Sequence, residues 1–301
     1  MKYKAVLLLA VLGVLFSVVA QAQSNALPPI PSLVVHPPAA GSESINTKDG
    51  IRPDLTETCS YTFTNAGTNN SYMEFCVTVN GNIVSFQSPN GVEYISQGGF
   101  AEGYGICDTS TGVNYYDYAY EDSGNWNAPV LVSSSATSVR ISRSTSDGLF
   151  TVTQTIAKEA GTTPYAKITM ALRNNVKVAK TVYLLRYGDV DPPNAYDADT
   201  NFAESFDSTY DSAWGYTPLN YSGPNYAGYG LKLSVIGAPT GTTGYSFEGI
   251  GQKTSSGPTP CNPTANYAGY QASVDGSVEL WWDLGIGGLK TATVNAKYEE
   301  F

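Results

Sequence analysis

Histidine is almost missing: His36 is the only one in 301 residues. It stands directly before Pro37 in a polar, proline-rich stretch, where a solvated side chain is the expected role rather than a metal ligand or pH sensor. Without imidazole in the body of the chain, Ser-His-Asp and Cys-His nucleophile systems lack their base, and the usual zinc sites lack ligands. Charge is scarce as well, at 14% of residues, and no Lys/Arg cluster interrupts a formal net charge of −10. A chain of that kind repels polyanions, which argues against nucleic acid as a partner and leaves metal cations and neutral polymers. Helical spacing of apolar residues is also nearly absent, and only one long apolar run exists, Ala5 to Ala20.

That run sets the compartment. Lys2 and Lys4 precede it and the small-residue pattern Ala20-Gln21-Ala22 closes it, so residues 1–22 read as a secretory signal peptide. The competing reading is an uncleaved anchor, since the run is near the lower length that crosses a bilayer. No Cys follows to carry a lipid. The rest of the chain is expected to be secreted or periplasmic and soluble once the signal is removed, in a compartment where its four cysteines can oxidise. Residues 23–55, with Pro28, Pro29, Pro31, Pro37 and Pro38, read as an extended linker. Residues 56–301 are the expected folded domain.

What the chain does have is tyrosine, 22 residues of it, beside 30 glycines. Alternating β-branched and aromatic residues recur from about residue 57, a pattern of strands and turns. Asn80-Gly81 predicts a two-residue hairpin in which Val77 faces Val84 and Phe75 faces Phe86. The preceding turn, with Thr64 set opposite Ser71, places Cys59 opposite Cys76. That pairing leaves Cys107 to join Cys261. Further strands are expected at 138–143, 149–157, 165–173, 180–187, 231–236, 245–248, 277–283 and 291–298, with Val139, Ile141, Phe150, Val152 and Ile156 on one apolar face.

Together these predict an all-β fold: a large antiparallel β-sandwich stapled by disulfides, either one supersandwich of two multi-stranded sheets or two smaller units sharing Cys107 and Cys261. A membrane barrel is disfavoured, because Glu299, Lys297 and Asn295 share the parity of the terminal Phe301 and would face lipid.

Two segments invite a functional reading. The run Asp189, Asp191, Asn194, Asp197, Asp199 supplies carboxylate and amide oxygens of the kind a structural calcium ion takes. Pro192 and Pro193 rule out an EF-hand, and the same residues also fit a solvated acidic turn. The aromatic segment offers Tyr104, Tyr116, Tyr118, Tyr120, Glu121 and Trp126, with Trp214 in a second cluster. On a continuous strand Tyr116, Tyr118 and Tyr120 share one face and turn Asp117 away. Flat rings flanked by acids suit sugar faces and hydroxyls, although a tyrosine stripe also serves sheet packing. In Trp281-Trp282 one ring is expected in the core and the other on the opposite face.

The function these features favour is non-catalytic recognition of extracellular polysaccharide, with calcium as the one candidate cofactor. A glycoside hydrolase or polysaccharide lyase using acids near Glu102 to Asp122 and Asp189 to Asp211 is the enzymatic alternative. A structural surface or matrix protein is the third. Oligomeric state leaves no mark in the sequence pattern.

Overall fold

The computed structural model describes residues 58–68, 71–95, 102–191, 203–207, 212–216, 229–252, 257–263, 271–272 and 277–300. The signal segment 1–22 and the linker 23–55 lie outside the described residues. In chain order the strands are β1 (Tyr61–Ala66), β2 (Tyr72–Val77), β3 (Ile83–Gln87), β4 (Glu102–Asp108), β5 (Val113–Asp117), β6 (Val130–Ser134), β7 (Ser138–Ser144), β8 (Phe150–Glu159) and β9 (Tyr165–Asn174). They continue as β10 (Lys180–Asp189), β11 (Ala203–Asp207), β12 (Ser212–Tyr216), β13 (Gly230–Val235), β14 (Tyr245–Gln252), β15 (Gln271–Ala272), β16 (Ser277–Ile286) and β17 (Thr291–Glu300). A five-stranded sheet, β14-β16-β10-β4-β5, faces a nine-stranded sheet, β15-β11-β12-β13-β17-β9-β8-β7-β6, and β1-β2-β3 form a third, smaller sheet. No helix among the described residues is long and apolar enough to cross a membrane.

Two-residue alternation explains the layering. On β8, Phe150, Val152 and Ile156 are buried, and they share one core with Ile168, Met170 and Leu172 of β9 and Val182 and Leu184 of β10. The expected apolar face through Val139 and Ile141 is therefore the inner face of the large sheet, with Val139 paired to Ile156. The small sheet joins the same core through its aromatic rungs: Phe63 meets Phe75 at a tilt at 5.2 Å, Phe75 stacks on Phe86 at 6.3 Å, and Phe86 meets Tyr298 of β17 at 6.3 Å.

Both disulfides form, Cys59–Cys76 and Cys107–Cys261, and among the described residues no cysteine is free. The route to the first differs from the expected one. β1 and β2 run on to pair Ala66 with Tyr72, so Thr64 faces Glu74 and Thr62, not Cys59, faces Cys76. Ser60 N–H donates to the Val77 carbonyl at 3.0 Å, and Cys59 beside it reaches Cys76 with their Cα atoms 5.5 Å apart.

The Asn80-Gly81 hairpin is also corrected. Phe75 faces Phe86, but Val77 faces Ile83 across a register shift. Gly81 alone takes positive φ, at 92°, with its N–H on the Thr78 carbonyl at 3.2 Å and the Thr78 N–H on Asn82 O at 2.9 Å. The turn is thus a three-residue type with a left-handed glycine. Thr78 Oγ1 favours it by accepting from the Asn80 and Asn82 N–H groups at 3.1 and 3.2 Å. Between Asp189 and Tyr229, where no strand is expected, the structure has β11 and β12.

Candidate functional site

The aromatic segment does not form one stripe. β5 ends at Asp117, and Ala119 adopts φ 65° in a tight turn where Tyr120 N–H donates to Tyr118 O at 2.7 Å. A left-handed alanine is strained; Asp117 holds it by accepting the Ala119 N–H at 3.1 Å. Beyond the turn Tyr120 packs against the inter-sheet core, on the other side from Tyr116 and Tyr118. Tyr104 and Trp126 also point inward: Trp126 meets Tyr104 edge-on at 5.4 Å, and the Tyr104 hydroxyl donates to Asn80 O at 3.1 Å. Trp214 is buried in β12 at 1% exposure. Four of the seven expected ligand-contact residues, Tyr104, Tyr120, Trp126 and Trp214, therefore stand apart from the Tyr116–Tyr118 surface.

Those inward residues border a buried polar network. Arg186 of β10 and Glu102 of β4, both fully buried, form a two-pronged ion pair. Arg186 also donates to Gln154 Oε1 at 2.5 Å and Gly81 O at 3.2 Å, while Glu102 accepts the Ile83 N–H at 2.7 Å. Asn82 donates to Glu102 O and Asp117 Oδ1 at 3.2 and 3.0 Å. Asp117 pairs with Arg143, whose guanidinium lies 5.3 Å over the Trp126 ring. The tip of the β2–β3 hairpin is thereby bonded to both sheets at once. Its closeness to Gln154 explains Gly81 further, since a β-carbon there would stand 2.5 Å from Gln154 Nε2.

Burial pushes the Glu102 carboxyl up from 4.5 to about 7, with Arg186 and the Ile83 N–H pulling the other way. A carboxyl raised on folding binds its proton more tightly in the native state. Its stabilising contribution is therefore complete below 4.5 and is lost as pH climbs through 7. Melting temperature is expected to fall between pH 4.5 and 7.5, and to fall less in Glu102→Gln. Equal slopes for the two proteins would contradict the assignment.

The outer face of the five-stranded sheet holds a different assembly. Tyr116 stacks on Tyr118 at 5.0 Å and 14°, Tyr118 meets Tyr187 at 5.1 Å, and Trp281 meets Tyr183 at 5.2 Å. Leu185 and Tyr187 of β10 share a cluster with Tyr118, against which Tyr116 and Trp281 pack. Alternation puts Tyr183, Leu185, Tyr187 and Asp189 on one face of β10, and Glu279, Trp281 and Asp283 on the same face of β16. Register then pairs Tyr187 with Glu279, Leu185 with Trp281 and Tyr183 with Asp283. One end of this face is closed, with Asp189, Glu279, Tyr187 and Tyr118 buried. The other is open, with Tyr183, Trp281 and Asp283 partly exposed.

Glycines in β4 and the long-range disulfide build the closed end. Gly105 lies opposite Leu185, and a β-carbon there would sit 2.7 Å from Pro260 and 3.1 Å from the Tyr118 hydroxyl. Cys261 ties its loop to β4, its N–H donates to Asn114 Oδ1 at 2.6 Å, and Pro258 O accepts the Tyr118 hydroxyl at 2.8 Å. Burial, with Glu279 adding to it, drives the Tyr118 phenol well above its ordinary range, so it stays protonated and keeps its proton on Pro258 O. Tyr116 donates to Glu121 Oε1 at 3.2 Å.

Of the expected ligand residues, then, Tyr116, Tyr118 and Glu121 are brought together. Tyr183, Tyr187, Glu279 and Trp281 join them without having been singled out as a group. The signal that could have found them is the shared parity of 183, 185 and 187 with Trp281 once β10 and β16 are paired. For calcium, Asp189 stands at the closed end and Asp191 N–H donates to Tyr94 O at 2.7 Å, while Asn194, Asp197 and Asp199 lie outside the described residues. Among the described residues no group of three or more His, Cys, Asp or Glu side chains could hold a metal. Of the enzymatic candidates, Glu102 is engaged by Arg186 and Asp122 by Arg143; Asp211 lies outside the described residues.

Compared with family models the chain matches none, and compared with curated proteins it matches none. Among solved structures it is similar to a bacterial glucoamylase complexed with acarbose, at 9% identity and TM-score 0.45, over 80% of this chain and 32% of the glucoamylase. It thus spans about a third of that enzyme's length. It is also similar to a galactose mutarotase-like protein from Lactobacillus casei, at 9% identity and TM-score 0.44, over 80% of this chain and all of the other. Likeness at this level assigns no activity.

Proposed function

We propose that the protein is a secreted, non-catalytic carbohydrate-binding protein whose platform is the outer face of the five-stranded sheet. The observation that carries this reading is the partly exposed Tyr183–Trp281 pair, which continues a buried aromatic row and stands beside Asp283. Aromatic rings offer flat apolar area at low entropic cost to the C–H faces of a pyranose, and a neighbouring carboxylate accepts from its hydroxyls. The closed end, fixed by the Cys107–Cys261 loop, keeps the open rings in place. Two disulfides suit the oxidising compartment that the signal segment implies.

The test is binding of neutral polysaccharides on a glycan array and by affinity electrophoresis, run beside turnover assays. Binding without turnover is expected. Removing one stacking ring costs about 1 to 3 kcal/mol of affinity, so Trp281→Ala and Tyr183→Ala should each weaken binding by roughly 5- to 150-fold. Tyr120→Phe, altered on the other side of the turn, should bind as the parent does. Turnover would favour a carboxylate hydrolase or lyase, and silence on every glycan a structural protein.

A further inference from the structure

Among the described residues β6 is the terminal strand of the nine-stranded sheet and pairs only with β7. Every one of its residues is exposed, including Val130 at 60%, Leu131 at 51% and Val132 at 48%. Edge strands are normally guarded by charge, because a row of open N–H and C=O groups recruits another strand. Here the whole segment from Ser123 to Val139 carries no charged residue, in a chain of net charge −10. We propose that β6 is an association surface for a second copy of this chain, the two β6 strands pairing antiparallel about a twofold axis.

Charge and pattern both favour an identical partner. Two copies of a strongly acidic protein repel over most of their surfaces, and an uncharged edge is where they can approach. The nearest formal charge on the neighbouring strand is Arg140, across from Ser133. In the paired arrangement the two Arg140 residues stay three strand spacings apart, about 14 Å, which exceeds the screening length of about 8 Å at physiological salt. An axis at Leu131 sets that side chain beside its counterpart and each Val130 opposite a Val132. The edge also extends backward along β7, where Trp126 bridges Thr145 and Asn127 N–H donates to Ser144 O at 2.8 Å. An extra residue at the register shift between Leu131 and Ser133 limits the paired length. The interface then falls at the small end of specific contacts, below about 1,200 Å², and the association is a weak one. This inference is independent of the carbohydrate reading.

Sedimentation velocity on the chain from Gln23 to Phe301, from roughly 10 μM to 1 mM, the range of affinities small interfaces support, is expected to show reversible monomer–dimer exchange. Amide hydrogen exchange in residues 130–134 should slow as concentration rises. Leu131→Glu and Val132→Glu place two like charges at or beside the axis, and each should remain monomeric, with an unchanged melting temperature at concentrations where the parent too is monomeric, since both side chains are already solvent-facing. A parent protein that stays monomeric throughout, whether its own proline-rich arm or nothing covers β6, overturns the proposal. So does a dimer that persists in both variants or leaves β6 exchange unaltered.

Discussion

Replacing Arg186 by Met is expected to lower the folding free energy by about 3 to 5 kcal/mol, the cost of breaking a buried pair by removing one partner. The guanidinium is fully buried, and it supplies donors to Glu102, Gln154 Oε1 and Gly81 O together. Its removal leaves three acceptors without those bonds in a space closed to water. The effect should extend to the hairpin tip, which the same network fastens between the sheets. Urea unfolding measures it as a lower midpoint with an unchanged slope. Changing Glu102 to Leu in the same protein should recover much of the loss, because an apolar pair needs no counter-charge. A single variant within about 1 kcal/mol of the parent, well short of the cost of a broken buried pair, would mean that the network holds little together.

The second large effect concerns the Cys107–Cys261 bridge. The double variant Cys107→Ser with Cys261→Ser is expected to lose about 5 kcal/mol in the chain-entropy account, because the bridge spans 154 residues. The Cys59–Cys76 pair spans 17, and its removal should cost about 3 kcal/mol on the same basis. The ranking is the sharper expectation, since native strain shifts either value. Loss of the long bridge also releases the loop that presses Pro258 and Pro260 onto Tyr118 and Gly105. Ligand affinity should therefore fall with it, while removal of the short bridge, in the third sheet, leaves affinity nearly unchanged.

Much of the sandwich is legible in the residues themselves. Strands with strict alternation declare their buried face, as in β17, expected at 291–298 and found to run two residues further, to Glu300. Cys59–Cys76 is read from the closeness of two neighbouring strands and Cys107–Cys261 from elimination, and both form although the β1–β2 register is set differently, by pairing that runs on to Ala66 and Tyr72. What stays hidden depends on backbone and tertiary events. The Tyr116, Tyr118, Tyr120 stripe fails at one residue, Ala119, whose positive φ no alanine signals in advance. β4 is hard to see because Gly103 and Gly105 leave two of its outer-face positions without side chains, and it is those bare positions that let Tyr118 and Pro260 settle on the sheet. The platform joins residues from β5, β10 and β16, more than 150 positions apart in sequence, and only strand order brings them side by side.

The chain has four tryptophans, placed so that they report separately: Trp281 on the outer face, Trp282 in the inter-sheet core, Trp126 under Arg143 and Trp214 within β12. Indole ¹H–¹⁵N spectra recorded while a bound neutral oligosaccharide is titrated in test the platform most directly. The Trp281 resonance is expected to shift with saturation while the Trp282, Trp126 and Trp214 resonances hold still. A saturating shift at Trp126 or Trp214 with Trp281 unmoved would place the ligand elsewhere and contradict the assignment of the outer face.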